Sequence, residues 1–314
     1  MEHNEWFAVR MLSESDSDQI LELVNLIQPH IPWNKQHLRW QYFESPGGNA
    51  RLYGINNQQG QLISFYAAVA QISQIGNRLV TTRMVQDVMT HPDYRGRGFL
   101  HQLGERCLDD IIQSGEAGYT LPNEKSAKSF RRIGWTELCS VPWRKKYLHS
   151  NQETTTLAVS ELAGCFDRDV ISSIWQSNPL FVGVNRDAAY LNWRYNKPRT
   201  KYSKFLINRD EGLIILKMFG NTLHICDLLT RSDRLNNVSA MLNFCDNFGL
   251  QHGANILTAW LPDGHPYGAA FHEHGLKLIT DVERYIFVHP GKIANEKLLN
   301  PGIWHITQGD SDIY

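Results

Sequence analysis

The sequence predicts a mixed α/β fold built as two tandem domains, each a twisted mixed sheet flanked by helices. Three observations predict it. A length of 314 residues makes two domains of about 150 residues the expected partition. Strand-like runs and amphipathic helical stretches follow one another along the chain. The second half repeats landmarks of the first at a nearly constant spacing.

Trp6 to Leu12 reads as a short strand, and Ser15 to Ser17 offer N-caps for a helix with apolar Ile20, Leu21, Leu23, Val24 and Ile27. A second helix carries Leu38, Trp40 and Tyr42 and stops before Pro46-Gly47-Gly48. Strand-like runs follow at Arg51 to Ile55, Leu62 to Ile72 and Arg78 to Thr90, separated by Asn56-Asn57 and Gly76-Asn77, as in antiparallel hairpins. After a glycine-containing loop comes a helix with Phe99, Leu100, Leu103, Cys107, Leu108 and Ile111 on one face. A strand at Tyr119 to Leu121, a helix from Glu124 to Arg132 and a strand region at Trp135 to Leu148 complete the first domain, residues 1–148. Polar His149 to Thr156 lacks apolar periodicity and reads as the linker into the second domain, residues 149–314.

The repeat is visible in pairs. Trp40-Gln41-Tyr42 with Pro46 parallels Trp193-Arg194-Tyr195 with Pro198. Asp87, Thr90 and Asp93 correspond to Asp227, Thr230 and Asp233, and Leu121-Pro122 to Leu261-Pro262, all at an offset of 140 (227 − 87). Phe130 and Gly134 match Phe271 and Gly275 one residue later. Short matches arise by chance, but one offset held across several segments does not. At that offset Arg95-Gly96-Arg97-Gly98 becomes Leu235-Asn236-Asn237-Val238, so the second copy lacks the loop and one anion site is expected, not two.

Composition bounds the function. The balance of 31 basic and 32 acidic residues leaves no global basic field, which speaks against nucleic acid as partner. Five scattered cysteines without a Cys-x-x-Cys pair suggest neither a zinc site nor a disulfide framework, and a reducing cytoplasm fits them. Met1 to Glu5 lacks the start of a secretory signal, and no apolar run reaches the roughly 20 residues that span a bilayer. A soluble cytoplasmic protein without a membrane or metal partner is the expectation.

The chemistry is concentrated in Arg95-Gly96-Arg97-Gly98. A strand, a tight glycine loop and a helix start together bind phosphate, because the first turn of a helix has unpaired N–H donors and a partial positive charge. Glycines let the backbone curl and approach an anion, and the two arginines add charge. The sequence Val88-Met89-Thr90-His91-Pro92-Asp93-Tyr94-Arg95-Gly96-Arg97-Gly98-Phe99-Leu100 resembles the acyl-CoA signature of the GNAT acyltransferase superfamily. Asn123 to Trp135 is similar to that family's second CoA-contacting segment, Asn-x-x-Ala-x-x-Leu-Tyr-x-x-x-Gly-Phe. The two motifs cover about the middle third of the first half.

The resemblance implies a sheet in which two parallel strands splay to admit the pantetheine arm of an acyl-CoA cosubstrate. It implies that Val88, Met89 and Thr90 offer backbone groups to that arm, and that Arg95 to Leu100 hold the pyrophosphate. Asn123, Ser126 and Phe130 would lie along the cofactor, with Asn123 near the thioester. Two residues depart from the pattern: Leu100 replaces a usual Gly or Ala, and Phe130 replaces the Tyr that often protonates the leaving thiolate. Side-chain acid catalysis is therefore not expected, and a thiolate leaves readily without it. Candidate bases are Asp87, His91 and Glu124, although Asp87 recurs as Asp227 in the copy without the loop, which speaks for a structural role. The expected reaction is acyl transfer from CoA to a primary amine. A duplicated chain with one working loop resembles bacterial N-acyltransferases acting on nucleotide-linked amino sugars, which makes a dTDP- or UDP-amino sugar the expected acceptor. Another small amine or a peptide is the alternative acceptor, and a non-catalytic acyl-CoA-binding module the alternative class.

Weaker signals have plainer readings. His265, His272 and His274 lack a carboxylate pattern for metal and read as capping or exposed residues. Trp33, Trp40, Tyr42, Trp193 and Tyr195 read as core anchors of the repeated helices. Arg144-Lys145-Lys146 reads as an exposed strand end, and Arg194, Arg199, Lys201 and Lys204 as a solvated face that could also take a second phosphorylated ligand.

Overall fold

The computed structural model describes residues 7–149, 157–178, 182–262, 264–293, 296–311 and 313–314. Most of the expected linker, from 150 to 156, lies outside the described residues, as does Trp6. In chain order the elements are β1 (Val9–Leu12), α1 (Ser17–Ile27), α2 (Lys35–Tyr42), β2 (Arg51–Asn56), β3 (Leu62–Ile75), β4 (Arg78–Thr90), α3 (Phe99–Gln113), β5 (Ala117–Thr120), α4 (Glu124–Ile133), β6 (Thr136–Ser140) and β7 (Trp143–Tyr147). There follow β8 (Val159–Glu161), α5 (Arg168–Gln176), β9 (Val182–Val184), α6 (Ala188–Arg194), β10 (Ser203–Ile207), β11 (Gly212–Phe219), β12 (Thr222–Thr230), α7 (Asn237–Gln251), β13 (Ile256–Trp260), α8 (Gly268–Glu273), β14 (Lys277–Leu278) and β15 (Tyr285–His289).

Helix starts follow from side-chain caps. Asn34 accepts from the His37 amide, Asn123 from Ser126, Asp167 from Asp169 and Val170, and Asp187 from Tyr190. Each cap satisfies an N–H that the first helical turn leaves without a carbonyl partner. α4 ends at Gly134, whose φ of +105° is the left-handed geometry of a glycine C-terminus.

The chain forms two compact units, and their boundaries differ from a cut at residue 148. Unit 1 comprises Met1–Ile72, Val80–Glu137 and Tyr285–Ala294; unit 2 comprises Ser73–Leu79, Leu138–Arg284 and Asn295–Tyr314. The expected single strand region at Trp135 to Leu148 is two strands with different partners. β6 stays in the sheet β1-β2-β3-β4-β5-β15-β6, whereas β7 joins the sheet β14-β7-β13-β12-β11-β10-β8. In return β15, from the second half of the sequence, pairs antiparallel with β5 through Phe287↔Thr120 and Val288↔Tyr119. Read from the opposite edge, the second sheet has the strand roles of the first, with β7 beside β13 as β15 is beside β5. The duplication therefore holds at the level of topology, with one strand of each copy exchanged.

Unit 1 packs α3 and α4 on its sheet. Leu103, Cys107 and Ile111 of α3, Ala127 and Phe130 of α4, and Tyr66, Val85 and Phe287 of the sheet form one buried cluster. Gly104 allows the close approach of α3, since a Cβ there would lie 2.5 Å from Ile133 Cδ1. In unit 2 β7 is an internal strand, and Arg144, expected to be exposed, is buried and donates to the carbonyls of Leu261 and Leu276.

Candidate functional site

In unit 1, β4 and β5 run parallel, and their ladder extends only from Thr82↔Ala117 to Val85↔Thr120. The joined end is clamped by Arg83, which donates from Nε and Nη2 to the two oxygens of Glu116 at 2.9 and 2.8 Å. The last rung is reinforced by Thr120 Oγ1, which donates to the Val85 carbonyl at 2.9 Å. β4 then continues for five residues, Gln86 to Thr90, while the chain after β5 turns through Leu121 and Pro122 into α4. The strands part at this point.

Asp87 marks the divergence. Its φ is +52°, an uncommon conformation for a residue other than glycine, and its carboxylate accepts from Tyr42 Oη at 2.9 Å. Beyond it the alternation of backbone groups can be followed. The Met89 carbonyl accepts from Ser64 Oγ, and the His91 amide donates to the Ile63 carbonyl, so both face β3. By alternation the backbone groups of Val88 and Thr90 face the opening. Arg95 Nε donates to the Thr90 carbonyl at 3.3 Å, tying the loop to the strand end.

The loop that follows is open. Gly96 and Gly98 have φ of +79° and +80°, and a Cβ built on either meets nothing within 4 Å. Gly98 is the N-cap of α3, and its carbonyl receives the amides of His101 and Gln102. The amides of Gly98, Phe99 and Leu100 therefore precede the first intrahelical bonds and point out of the helix start. Arg95 and Arg97 are exposed, and the Arg97 guanidinium sits 5.1 Å from the Tyr94 ring centroid and 5.9 Å from that of Phe7. A curled backbone with outward amides, a helix N-terminus and two cations is a set of donors suited to a diphosphate.

The other expected residues divide. His91 is engaged locally: its Nδ1 accepts from the Asp93 amide at 3.3 Å and its ring packs on Tyr94 at 5.7 Å. Asn123 caps α4, accepting from the amide and hydroxyl of Ser126, and both residues sit at the helix start that follows β5. Glu124 is exposed in the first turn of α4. Phe130 is a correction. It is 2% exposed, with ring centroids 5.6 Å from Trp135 and 6.4 Å from both Tyr66 and Phe287, so it belongs to the core and not to a ligand surface. The rings of Phe99 and Met89's side chain are also buried, which leaves only their backbone for a ligand.

The second copy shows what the loop's loss accompanies. β12 and β13 pair in parallel from Thr222↔Ile256 to Ile225↔Ala259 and then part, at the register of the first copy. Tyr195 Oη donates to Asp227 at 3.1 Å, the counterpart of Tyr42 and Asp87. Here, however, the chain fills its own cleft. The amide and carbonyl of Thr230, which corresponds to Thr90, both bond the Tyr267 hydroxyl at 3.1 Å. Gln308 Nε2 donates to Thr258 Oγ1, and Tyr314 packs on Trp260 and His224. Gly309 lies so close that a Cβ would be 2.8 Å from the Cys226 carbonyl. Asn236, at the start of α7, has φ of −61° and forms no left-handed cradle.

Asp227 is fully buried in a network that sequence reasoning missed. Arg186 donates to Asp227 at 3.2 Å and to Asp310 at 2.6 Å. The Tyr267 amide donates to His265 Nδ1, so the proton of His265 is on Nε2 and points at His305 Nδ1, 3.2 Å away; His305 then directs Nε2 to Asp227 at 3.4 Å. Burial alone would raise the Asp227 carboxyl, but Arg186 and the His305 and Tyr195 hydrogen bonds outweigh it and hold it at about 2. Burial pushes both His265 and His305 down. Arg194, considered for a phosphorylated ligand, is buried and donates to the carbonyls of Gly309, Ser311 and Tyr314. His274 pairs with Asp246 at 2.8 Å, apart from His265. A buried arginine leaves no mark in the sequence that separates it from a surface one.

Among the described residues no helix is long and apolar enough to cross a membrane. No curated protein matches the sequence. Among solved structures, the chain is similar to a GCN5-related N-acetyltransferase from Anabaena variabilis, at 15% identity over 91% of this chain and 73% of that one, with a TM-score of 0.70. It is similar to a probable N-acyltransferase from Enterococcus faecalis, at 13% identity over 92% and 73% of the two chains, with a TM-score of 0.69. It also resembles Saccharomyces cerevisiae N-myristoyltransferase with bound myristoyl-CoA, at 7% identity over 92% and 80%, with a TM-score of 0.61. The chain shares the fold of these structures, and its residues 8–138, which contain the splayed strands and the glycine cradle, match the acetyltransferase (GNAT) domain family.

Proposed function

We propose that the protein is an acyl-CoA-dependent N-acyltransferase with one cofactor site, in unit 1. The observation that carries this reading is the open left-handed cradle at Gly96 and Gly98, set at the start of α3 beside strands that part after Val85 and Thr120. When bound, acyl-CoA supplies an activated thioester. The amides of Gly98, Phe99 and Leu100, with Arg95 and Arg97, hold its pyrophosphate. The outward backbone groups of Val88 and Thr90 align the pantetheine arm as a further strand would. The similar solved structures, a GCN5-related N-acetyltransferase, a probable N-acyltransferase and an N-myristoyltransferase, support the reaction class.

Nitrogen attack on the thioester carbonyl forms the C–N bond and breaks the C–S bond, and the amine's proton passes to water or to the departing thiolate. An amine of pKa roughly 8 is partly neutral at physiological pH, so alignment and proximity can supply much of the acceleration. Little help is needed from Asp87, whose bond to Tyr42 is repeated by Asp227 and Tyr195 in the copy without a cradle. Asp87 thus acts mainly to shape the point where β4 leaves β5, and His91 and Glu124 are at most relays through water. For the acceptor we propose a primary amine on a nucleotide-linked amino sugar, a reading that rests on the duplicated organisation with a single loop.

Thiol release from acetyl-CoA and longer acyl-CoAs, measured with a panel of amines, tests the reaction; binding without release by any amine would favour the non-catalytic module. Calorimetry with dTDP and UDP tests the acceptor class, which fails if neither nucleotide binds with or without CoA.

A further inference from the structure

Unit 2 holds a half-open cavity of about 810 Å³ formed by the turn between β3 and β4, α5, and the start of α6. Its volume is in the range of small-molecule sites. The lining chemistry is unusual: Gln74, Asn77, Gln176, Asn185 and Asn192 present five carboxamides, and Ser172 adds a hydroxyl. Arg168 and Asp187 are the charged groups of the wall, one of each sign. The Asp187 carboxylate is already committed, capping the Tyr190 amide and accepting from Asn185 Nδ2 at 2.8 Å.

Several of these amides are preset. Gln74 Nε2 donates to the Asn178 carbonyl at 3.0 Å, and Asn192 accepts from the Phe166 amide at 2.7 Å while donating to its carbonyl. Asn77 and Gln176 are exposed and make no side-chain hydrogen bond among the described residues. The apolar part of the wall is Leu79, which is 61% exposed, with alanines and two nearly buried aromatic side chains. Phe166 and Trp175 line it, and Trp175 is fixed by the Arg186 guanidinium 5.7 Å from its ring.

We propose that this cavity binds a neutral, hydroxyl-rich ligand, a hexoside or short oligosaccharide, at a site independent of acyl transfer. A carboxamide offers a donor and an acceptor side by side, as does each sugar hydroxyl, so the two are matched without charge. The C–H face of a pyranose is apolar and can rest against Leu79 and the neighbouring alanines. Anchored amides lose little freedom on binding, which favours recognition by several weak bonds. A phosphorylated ligand would find one cation, offset by one carboxylate.

The test uses the full chain with methyl glucoside, N-acetylglucosamine and maltose as neutral probes, and a glucose phosphate and UDP as anionic ones. Saturation-transfer NMR and tryptophan fluorescence report binding. At least one neutral probe should bind in the millimolar range. Gln176→Ala and Asn77→Ala should each weaken it roughly 2- to 10-fold, the worth of one neutral hydrogen bond, without moving the melting temperature. Ala189→Trp, at an exposed helix position on the rim, should abolish binding. The proposal is overturned if no neutral probe binds, if binding survives Ala189→Trp, or if the anionic probes bind more tightly and lose that advantage in Arg168→Gln. None of these readouts depends on CoA or on thiol release, so failure of the acyltransfer reading would leave them intact.

Discussion

Replacing Gly98 by alanine separates conformational from steric demands at the cradle. The φ of +80° costs a residue with a Cβ about 1–2 kcal/mol, while the absence of any atom within 4 Å of the new methyl means no clash in the free protein. Gly134→Ala is the matched control. It too caps a helix, at φ +105° with open space around it, but at the end of α4. Both variants should therefore lose about 1–2 kcal/mol of stability, or about 2–8 °C in melting temperature for a unit of this size. Only Gly98→Ala puts a methyl where the anion would approach the amides of Phe99 and Leu100. If one charge-assisted hydrogen bond is lost, CoA should bind about 10- to 150-fold more weakly. Thermal melts and calorimetry with CoA provide both readouts. Equal CoA affinity in wild type and Gly98→Ala, or equal losses in the two variants, would refute a pyrophosphate site at this helix start.

Acid should destabilise unit 2. His224 is pushed to about 4 by burial and Lys217, and burial also lowers His265 and His305. The unfolded chain therefore binds more protons than the folded one below about pH 6.5, so stability falls as pH drops through that value. His224 alone accounts for up to about 3 kcal/mol between pH 6.5 and 4. Denaturation midpoints that do not change from pH 7.5 to about 5 would contradict the assignment of neutral buried imidazoles. Tyr195→Phe should cost about 1–3 kcal/mol, because the buried Asp227 carboxylate loses a donor, and urea titration of the variant measures it. Gly309→Ala should destabilise by about 1–3 kcal/mol, because the added Cβ overlaps Tyr195 Oη, the donor to Asp227, and crowds the Cys226 carbonyl, and CoA should still bind in a one-to-one ratio by calorimetry.

What was legible in the sequence is what local rules encode. The offset of 140 between Asp87 and Asp227 reappears as ladders that end at Val85 and Ile225, and as the same tyrosine–aspartate bond in both copies. The cradle was readable because glycines at left-handed positions have few alternatives. The exchange of β7 and β15 was not readable. An alternating strand records which face is buried but not which neighbour it pairs with, and the two copies offer equivalent slots. Phe130 could have been placed correctly. In α4 the only large apolar residues are Phe130 and Ile133, with Ala127 one turn before Phe130, so that face had to be the core in a helix otherwise made of charge and serine. The motif position suggested a ligand; the helix face decided otherwise.

The two copies show one architecture resolved in two ways. Parting two parallel strands exposes backbone N–H and C=O groups that must find partners, because an unpaired buried group costs about 1–3 kcal/mol. In unit 2 the chain supplies them itself: Tyr267 takes both backbone groups of Thr230, and Gln308 and Tyr314 fill the space beside β13. With the cleft closed, Asp227 is cut off from water and requires Arg186, Tyr195 and His305 to remain charged. In unit 1 the corresponding groups of Val88 and Thr90 face an opening, and Asp87 is only partly buried. Apart from the Thr90 carbonyl, which accepts from Arg95, the open copy does not close its cleft with its own chain, and a ligand completing it in the proposed way would be long, polar along one edge and anionic at the end that meets Gly96 to Leu100. A pantetheine arm with its pyrophosphate has that form. A Tyr267→Phe variant would uncover Thr230 without restoring the glycine cradle, so it should lose stability and yet gain no second CoA site; a two-to-one CoA stoichiometry in that variant would show that the loop is not what confines binding to unit 1.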